Sequence, residues 1–190
     1  MSKENIQSGD DFSQWEALKN GNVDAFEEIF KANYGFLVNY CSRFQKDEDE
    51  IKECIQILFI TLWERRAFLG TTTSIRNYLL ASLRRLLLKR KKEQAKKVEL
   101  DSDTFLLHTE LSVEALLIND QSFIENQKLL QQSISRLPER QKEAIYLKFY
   151  GDQSFSEIAG IMNITTRAVY KLIYKALDTL SEALRKSPTK

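Results

Sequence analysis

The chain is 190 residues long and nearly neutral, with 28 Lys and Arg against 27 Asp and Glu. Hydrophobic residues make up 43%, with only six Gly and two Pro, a balance that suits long helices around real cores and argues against a turn-rich or disordered chain. A single histidine, His108, excludes a four-ligand zinc set, no apolar run reaches a membrane span, and the polar start MSKENIQSGDDFSQ is no secretory signal, so a cytoplasmic site is expected.

Charge is segregated along the chain. Residues 1–83 hold 13 acids and 9 bases, residues 84–97 eight bases and one acid, residues 98–127 seven acids and no Lys or Arg, and residues 136–190 ten bases and six acids. A chain so divided can carry two nucleic-acid-facing surfaces separated by an acidic connector.

Residues 12–45 read as helices. Asp24 can cap one that carries Phe26, Ile29 and Phe30, and Tyr34, Leu37, Val38 and Cys41 continue its spacing. Asp47, Glu48, Asp49 and Glu50 open the next helix, about 49–67, where four acids complement the helix dipole. Its apolar positions are Ile51, Cys54, Ile55, Leu58, Phe59, Leu62 and Trp63, leaving Lys52, Glu53 and Gln56 outside. Cys41 and Cys54 both fall in apolar patterns and read as core packing. Residues 68–75 break the pattern, and a further helix runs from about Ser74 to Lys92 with Ile75, Tyr78, Leu79, Ser82, Leu83, Leu86 and Leu87 inside. The basic run at 84–97 reads as phosphate contact or as a solvated helix end.

Residues 93–122 form an acidic linker whose clusters Phe105-Leu106-Leu107 and Ala115-Leu116-Leu117-Ile118 are too apolar for a purely solvated spacer. Helices are then expected over 123–135 and 138–150, the second with Pro138 in its first turn and ended by Gly151. The stretch SFSEIAGIMNITTRAVYKLIYKAL, residues 154–177, follows. Ser154 with Glu157 makes a capping box, and Ile158, Ala159, Ile161 and Met162 an apolar face. Asn163-Ile164-Thr165 is a turn with Ile164 buried in the angle. Thr165 or Thr166 caps a second helix with Val169, Leu172, Ile173, Ala176 and Leu177 inside. Thr166, Arg167, Tyr170, Lys171, Tyr174 and Lys175 lie outside, the pattern of a helix-turn-helix whose second helix can enter a DNA major groove, or of an ordinary helical hairpin with a basic surface. For Tyr170 and Tyr174, half-buried packing and DNA contact weigh equally.

With these elements in place, the chain resembles bacterial sigma factors of the sigma-70 family, extracytoplasmic-function (ECF) type. Leu137-Pro138, Arg140-Gln141, Glu157-Ile158-Ala159, Val169 and Ala176-Leu177 carry the resemblance in the C-terminal half, and Gln56, Phe59, Leu62 and Trp63 in the N-terminal half. Glu53 stands where the family has Asp, Ile57 where it has Glu, and Arg85 and Lys89 where it often has Asn and Asp.

The resemblance implies an all-α chain of two small helical domains. Residues 1–92 would be a region 2-like domain for core polymerase and the −10 element. Residues 93–122 would be the acidic linker, threading toward the polymerase cleft. Residues 123–190 would be a region 4-like helix-turn-helix domain for the −35 element. Lys52, Glu53 and Gln56 would meet core RNA polymerase. Residues 68–78, with Gly70, Thr71, Thr72, Thr73, Ser74, Arg76 and Asn77, would meet the bubble edge and pocket a flipped base, or form a plain polar loop. Arg84, Arg85, Lys89 and Arg90 would hold −10 phosphates. Thr165, Thr166, Arg167, Tyr170, Lys171, Tyr174 and Lys175 would face the −35 element, and Ile145, Leu147 and Phe149 would serve both the core and the polymerase flap.

The implied partners are core RNA polymerase, promoter DNA and an anti-sigma factor, often membrane-bound in the family. One copy is expected per polymerase. No cofactor, metal or small-molecule substrate is expected, and no enzyme: there is no histidine-paired nucleophile and no phosphate loop. Two other readings stay open. One is a stand-alone helix-turn-helix regulator; the other is a sigma-like decoy that binds polymerase or an anti-sigma factor.

Overall fold

The structure, a computed structural model, describes residues 4–43, 45, 47–97 and 121–185. Among these residues all regular structure is helical, and they divide into two compact units. The greater part of the acidic linker, residues 98–120 with His108 and both apolar clusters, lies outside the described residues.

The N-terminal unit comprises α1 (Glu4–Lys19), α2 (Val23–Cys41), α3 (Glu48–Glu64) and α4 (Ile75–Lys97), with a 3-10 turn at Arg66–Phe68. The chain turns between α1 and α2 at Gly21, whose φ of 83° suits a residue without Cβ. The cap of α2 is Asn22 and not Asp24. Asn22 Oδ1 accepts from the Ala25 N–H at 2.9 Å, and Asp24 sits in the first turn, where its charge still favours the dipole. Asp47 caps α3, accepting from the N–H groups of Asp49 and Glu50 at 2.9 and 3.3 Å.

The expected apolar face of α3 is buried from Ile51 to Leu62. Phe59 and Trp63 turn inward onto α2. The Phe59 ring lies 4.9 Å from Phe30 and 5.9 Å from Phe26, and Trp63 lies 5.1 Å from Phe26. Aromatic pairs of this kind contribute about 0.5–1.5 kcal/mol each beyond the area they bury. Phe59 and Trp63, two of the residues that carry the family resemblance, thus hold the domain together. Cys41 and Cys54 are free and buried in the same region, and burial pushes the Cys41 thiol pKa up to about 12. α4 extends to Lys97, so the whole basic run is helical, and Glu93–Lys97 continue this helix.

The C-terminal unit comprises α5 (Gln121–Ser135), α6 (Glu139–Phe149), α7 (Phe155–Met162) and α8 (Thr166–Arg185). α8 packs against all three others. Its buried stripe is Val169, Ile173, Ala176 and Leu180. Leu172 is half-buried and Leu177 is exposed, because the contact seam drifts around a helix of this length. Pro138 is the cap residue of α6. Gln141 to Leu147 are all buried, including Lys142, whose pKa burial lowers. Ile145 and Leu147 therefore belong wholly to the core, and only Phe149 of the expected flap-facing trio is exposed. At Gly151 an added Cβ would stand 2.8 Å from the Leu147 carbonyl oxygen, so the chain can leave α6 this tightly only without a side chain.

Candidate nucleic-acid interface

The helix-turn-helix is fixed by local chemistry at each joint. Ser154 Oγ accepts from the Glu157 N–H at 3.2 Å, and the Glu157 carboxylate accepts from the Ser154 N–H at 2.7 Å, closing the capping box of α7. Asn163 ends α7 in the left-handed conformation, φ 52° and ψ 55°, which Asn tolerates better than most residues. The Ile164 N–H then donates back to the Ala159 carbonyl at 3.0 Å. Ile164 is half-buried in the angle. Thr165, not Thr166, caps α8, its Oγ1 accepting from the Ala168 N–H at 3.2 Å.

This packing turns one face of α8 outward. Thr166, Arg167, Tyr170, Lys171, Tyr174 and Lys175 are all exposed. Arg167, Lys171 and Lys175 follow one another at four-residue spacing, and among the described residues no acidic side chain pairs with them. The two tyrosines are neither core nor loose. Tyr170 stacks on Phe155 of α7 with centroids 4.0 Å apart and planes 9° from parallel, Tyr174 stacks on Tyr170 at 6.1 Å, and the Lys148 ammonium lies 5.5 Å from the Phe155 centroid. Phe155 and Lys148 were not among the expected site residues. Their signal is spatial, since the two lie on different helices from the tyrosines.

The N-terminal unit carries the other expected surface. Lys52, Glu53 and Gln56 lie exposed along α3, with Lys52 near Glu48 and Asp49 at 4.0 and 3.4 Å. Glu53 and Arg90, expected to serve separate partners, meet each other. The Arg90 guanidinium donates to both Glu53 carboxylate oxygens at 2.7 and 3.1 Å. These hydrogen bonds, and the guanidinium charge, hold the Glu53 carboxyl below the usual carboxylate range. Arg85 donates to the Ala81 carbonyl and to Ser82 Oγ, both at 3.1 Å, and Lys89 lies 3.9 Å from Glu93. Arg84 is half-buried.

In the loop before α4, Gly70, Thr71 and Thr73 are exposed, while Thr72 and Ser74 are occupied locally. Thr72 Oγ1 donates to the Ser74 carbonyl at 3.0 Å, and Ser74 Oγ accepts from the Asn77 N–H at 3.3 Å. The Arg76 guanidinium lies 4.9 Å from the Phe36 ring centroid. Beside the loop, Glu64, Arg65, Phe68, Leu69, Gly70 and Tyr78 line a half-open cleft of about 470 Å³, and Phe68 is 90% exposed. Phe68, Leu69, Gly70 and Tyr78 fall within the stretch 68–78 expected at the bubble edge, whereas Glu64 and Arg65 were not expected there, because the turn alone brings them beside Tyr78. Among the described residues no helix is long and apolar enough to cross a membrane, and no cluster of three metal-ligating side chains occurs.

The Sigma-70 region 2 family model matches residues 29–97, which run from α2 to the end of α4, and the Sigma-70, region 4 model matches residues 127–180, the helix-turn-helix unit. The ECF RNA polymerase sigma factor SigW of Bacillus subtilis (strain 168) is 22% identical over 174 residues, 88% of this chain and 93% of that one. Two solved structures share the fold. The sigma factor RpoE of Bartonella quintana, solved with the anti-sigma factor NepR, has a TM-score of 0.64 at 15% identity over 87% of this chain and 100% of its own. CnrH, solved with the cytosolic domain of CnrY, has a TM-score of 0.63 at 15% identity over 94% and 99%. With both regions matched and an ECF relative aligned along most of either chain, this protein belongs to the sigma-70 family, as a sigma factor of the extracytoplasmic-function type.

Proposed function

We propose that this sigma factor directs core RNA polymerase to its promoters by dividing the contacts between its two units. The outward face of α8 reads the −35 element. Arg167 suits bidentate contact with a guanine, Lys171 and Lys175 grip phosphate, and Thr165 and Thr166 offer first-turn groups to the backbone. Tyr170 and Tyr174 present flat, pre-stacked rings to the groove edge. Thr71, Thr72, Thr73 and Ser74 of the loop, with Arg76 and Asn77 of the first turn of α4, receive the melted −10 strand, with the adjoining cleft as the space for an unstacked base. Arg84, Arg85, Lys89 and Arg90 fix phosphate register there, and Lys52, Glu53 and Gln56 dock α3 on core polymerase.

The observation that carries this reading is the row of Arg167, Lys171 and Lys175, which has no acidic partner among the described residues, on a helix whose opposite stripe of Val169, Ile173, Ala176 and Leu180 is buried. The protein acts in the cytoplasm as a specificity subunit with no catalytic site of its own. An anti-sigma factor is a further partner, as NepR is for the sigma factor RpoE. The domains are assigned as residues 1–92 and 123–190 around the acidic linker.

Purified protein with core polymerase starts transcription at a cognate promoter, read as a run-off product. Absence of any binding to core polymerase would refute the proposal. Tight, specific binding of duplex DNA by the protein alone would favour a stand-alone regulator instead.

A further inference from the structure

α1 precedes the residues matched to region 2, yet it is fastened to the loop that precedes α4 at both ends of that loop. At the near end, Trp15 Nε1–H donates to the Gly70 carbonyl at 2.8 Å across 55 residues of sequence. At the far end, the Asp11 carboxylate accepts from the Ile75 N–H, the first of α4, at 3.0 Å across 64 residues. The Trp15 ring is wholly buried, and Tyr78, a wall of the adjoining cleft, meets it edge-on at 4.9 Å.

Each bond satisfies a group that the local sequence leaves open. The first N–H groups of a helix have no partner within the helix. Ser74 Oγ takes the Asn77 N–H, and Asp11 supplies from α1 the acceptor for Ile75. A carboxylate at this point also complements the dipole of α4. The loop therefore enters its task with both ends positioned, while Thr71 and Thr73 between them stay exposed. A loop held in place beforehand loses less conformational freedom when it captures a ligand, and binds it more tightly for that reason.

We infer that Asp11 and Trp15 are positioning residues for capture of the unpaired −10 strand: α1 holds the loop at residues 70–75 in its strand-binding shape without touching DNA. The inference rests on the reading of this loop as the −10 surface.

The test uses reconstituted polymerase holoenzyme and a forked DNA whose non-template −10 segment is single-stranded. Trp15→Phe keeps an aromatic ring, smaller than the indole, and removes the N–H donor. Asp11→Ala removes the acceptor, and Asp11→Asn restores one. The expected result is a roughly tenfold weaker affinity for forked DNA in Trp15→Phe and Asp11→Ala, partial recovery in Asp11→Asn, and a smaller preference for the cognate base at the unpaired position. Affinity for core polymerase and for the −35 duplex stays unchanged, a pattern that general destabilisation would not produce. Native affinity and base preference in both Trp15→Phe and Asp11→Ala would overturn the inference. The double variant Thr71→Ala, Thr73→Ala separates the two levels. If it too binds forked DNA normally, the loop is not the −10 surface and the inference fails with that reading; if it binds poorly while the α1 variants do not, only the positioning role falls.

Discussion

The two basic surfaces differ in what their cations do before any DNA arrives. On α8, Arg167, Lys171 and Lys175 stand exposed with no acidic partner among the described residues, while Tyr170 is stacked flat on Phe155 and Tyr174 on Tyr170. On α4, Arg90 is held by Glu53, Lys89 lies near Glu93, and Arg85 is turned onto its own helix. The contrast follows from surroundings: α8 offers its outer face to solvent, whereas α4 finds partners on the acidic α3 for Arg90 and along its own helix for Lys89 and Arg85. A cation without a partner loses only water on meeting a phosphate, whereas a paired one must first leave a carboxylate. The α8 face is ready-made, and the α4 face must exchange partners to be used.

The sharpest way to break this contrast is to remove Arg167. If it reads a guanine, Arg167→Ala costs about 1–3 kcal/mol, roughly 5- to 150-fold in promoter-specific transcription, and relaxes preference at one −35 base pair. Core binding is unchanged; equal loss of both would mean the residue is structural. Ser154→Ala removes the side-chain half of the capping box and is expected to lower stability of the C-terminal unit by about 1 kcal/mol, measured by denaturant unfolding. That change loosens the platform under α8 while leaving its cations in place.

Next in size comes salt dependence. Lys171→Ala should weaken DNA binding about equally across sequences and reduce the slope of log affinity against log salt by about one. Lys89→Ala should change the slope less, since its charge is partly answered by Glu93.

The smallest expected effect is that of Glu53→Gln, which breaks an exposed pair and should barely move the unfolding midpoint at neutral pH. The Glu53 carboxyl is held below its ordinary value of 4.5, so whatever the pair contributes is present at pH values above 4.5 and fades as pH falls through the lowered value. A midpoint for the native protein that gains on the Glu53→Gln variant as pH drops would contradict this sign.

The legible parts were those whose cause is local. The capping box at Ser154, the buried stripe Val169–Ile173–Ala176 and the exposed face of Arg167 and Lys171 all follow from three- and four-residue spacing. The apolar face of α3 followed for the same reason. What the sequence concealed depends on distant partners. Glu53 meets Arg90 from 37 residues away, and Trp15 meets Gly70 from 55. Asn22, not Asp24, is the cap because α2 already starts at Val23, directly after the turn at Gly21. α6 hid its role because burial on every side erases the periodicity from which a helix face is read, and Lys142 and Glu143 look like surface residues by type alone.

α8 is 20 residues long, about 30 Å at 1.5 Å per residue, and only its first half carries the candidate DNA-reading side chains. Its second half continues through Ala176 and Leu180, both buried, and the helix packs on α5 as well as on α6 and α7. Mechanically it is a beam seated along both halves, since Val169 and Ile173 in the first half are buried as fully as Ala176 and Leu180 in the second. A beam held in this way resists tilting piecemeal. Trimming Leu180 therefore lowers the stability of the whole unit before it re-aims Arg167.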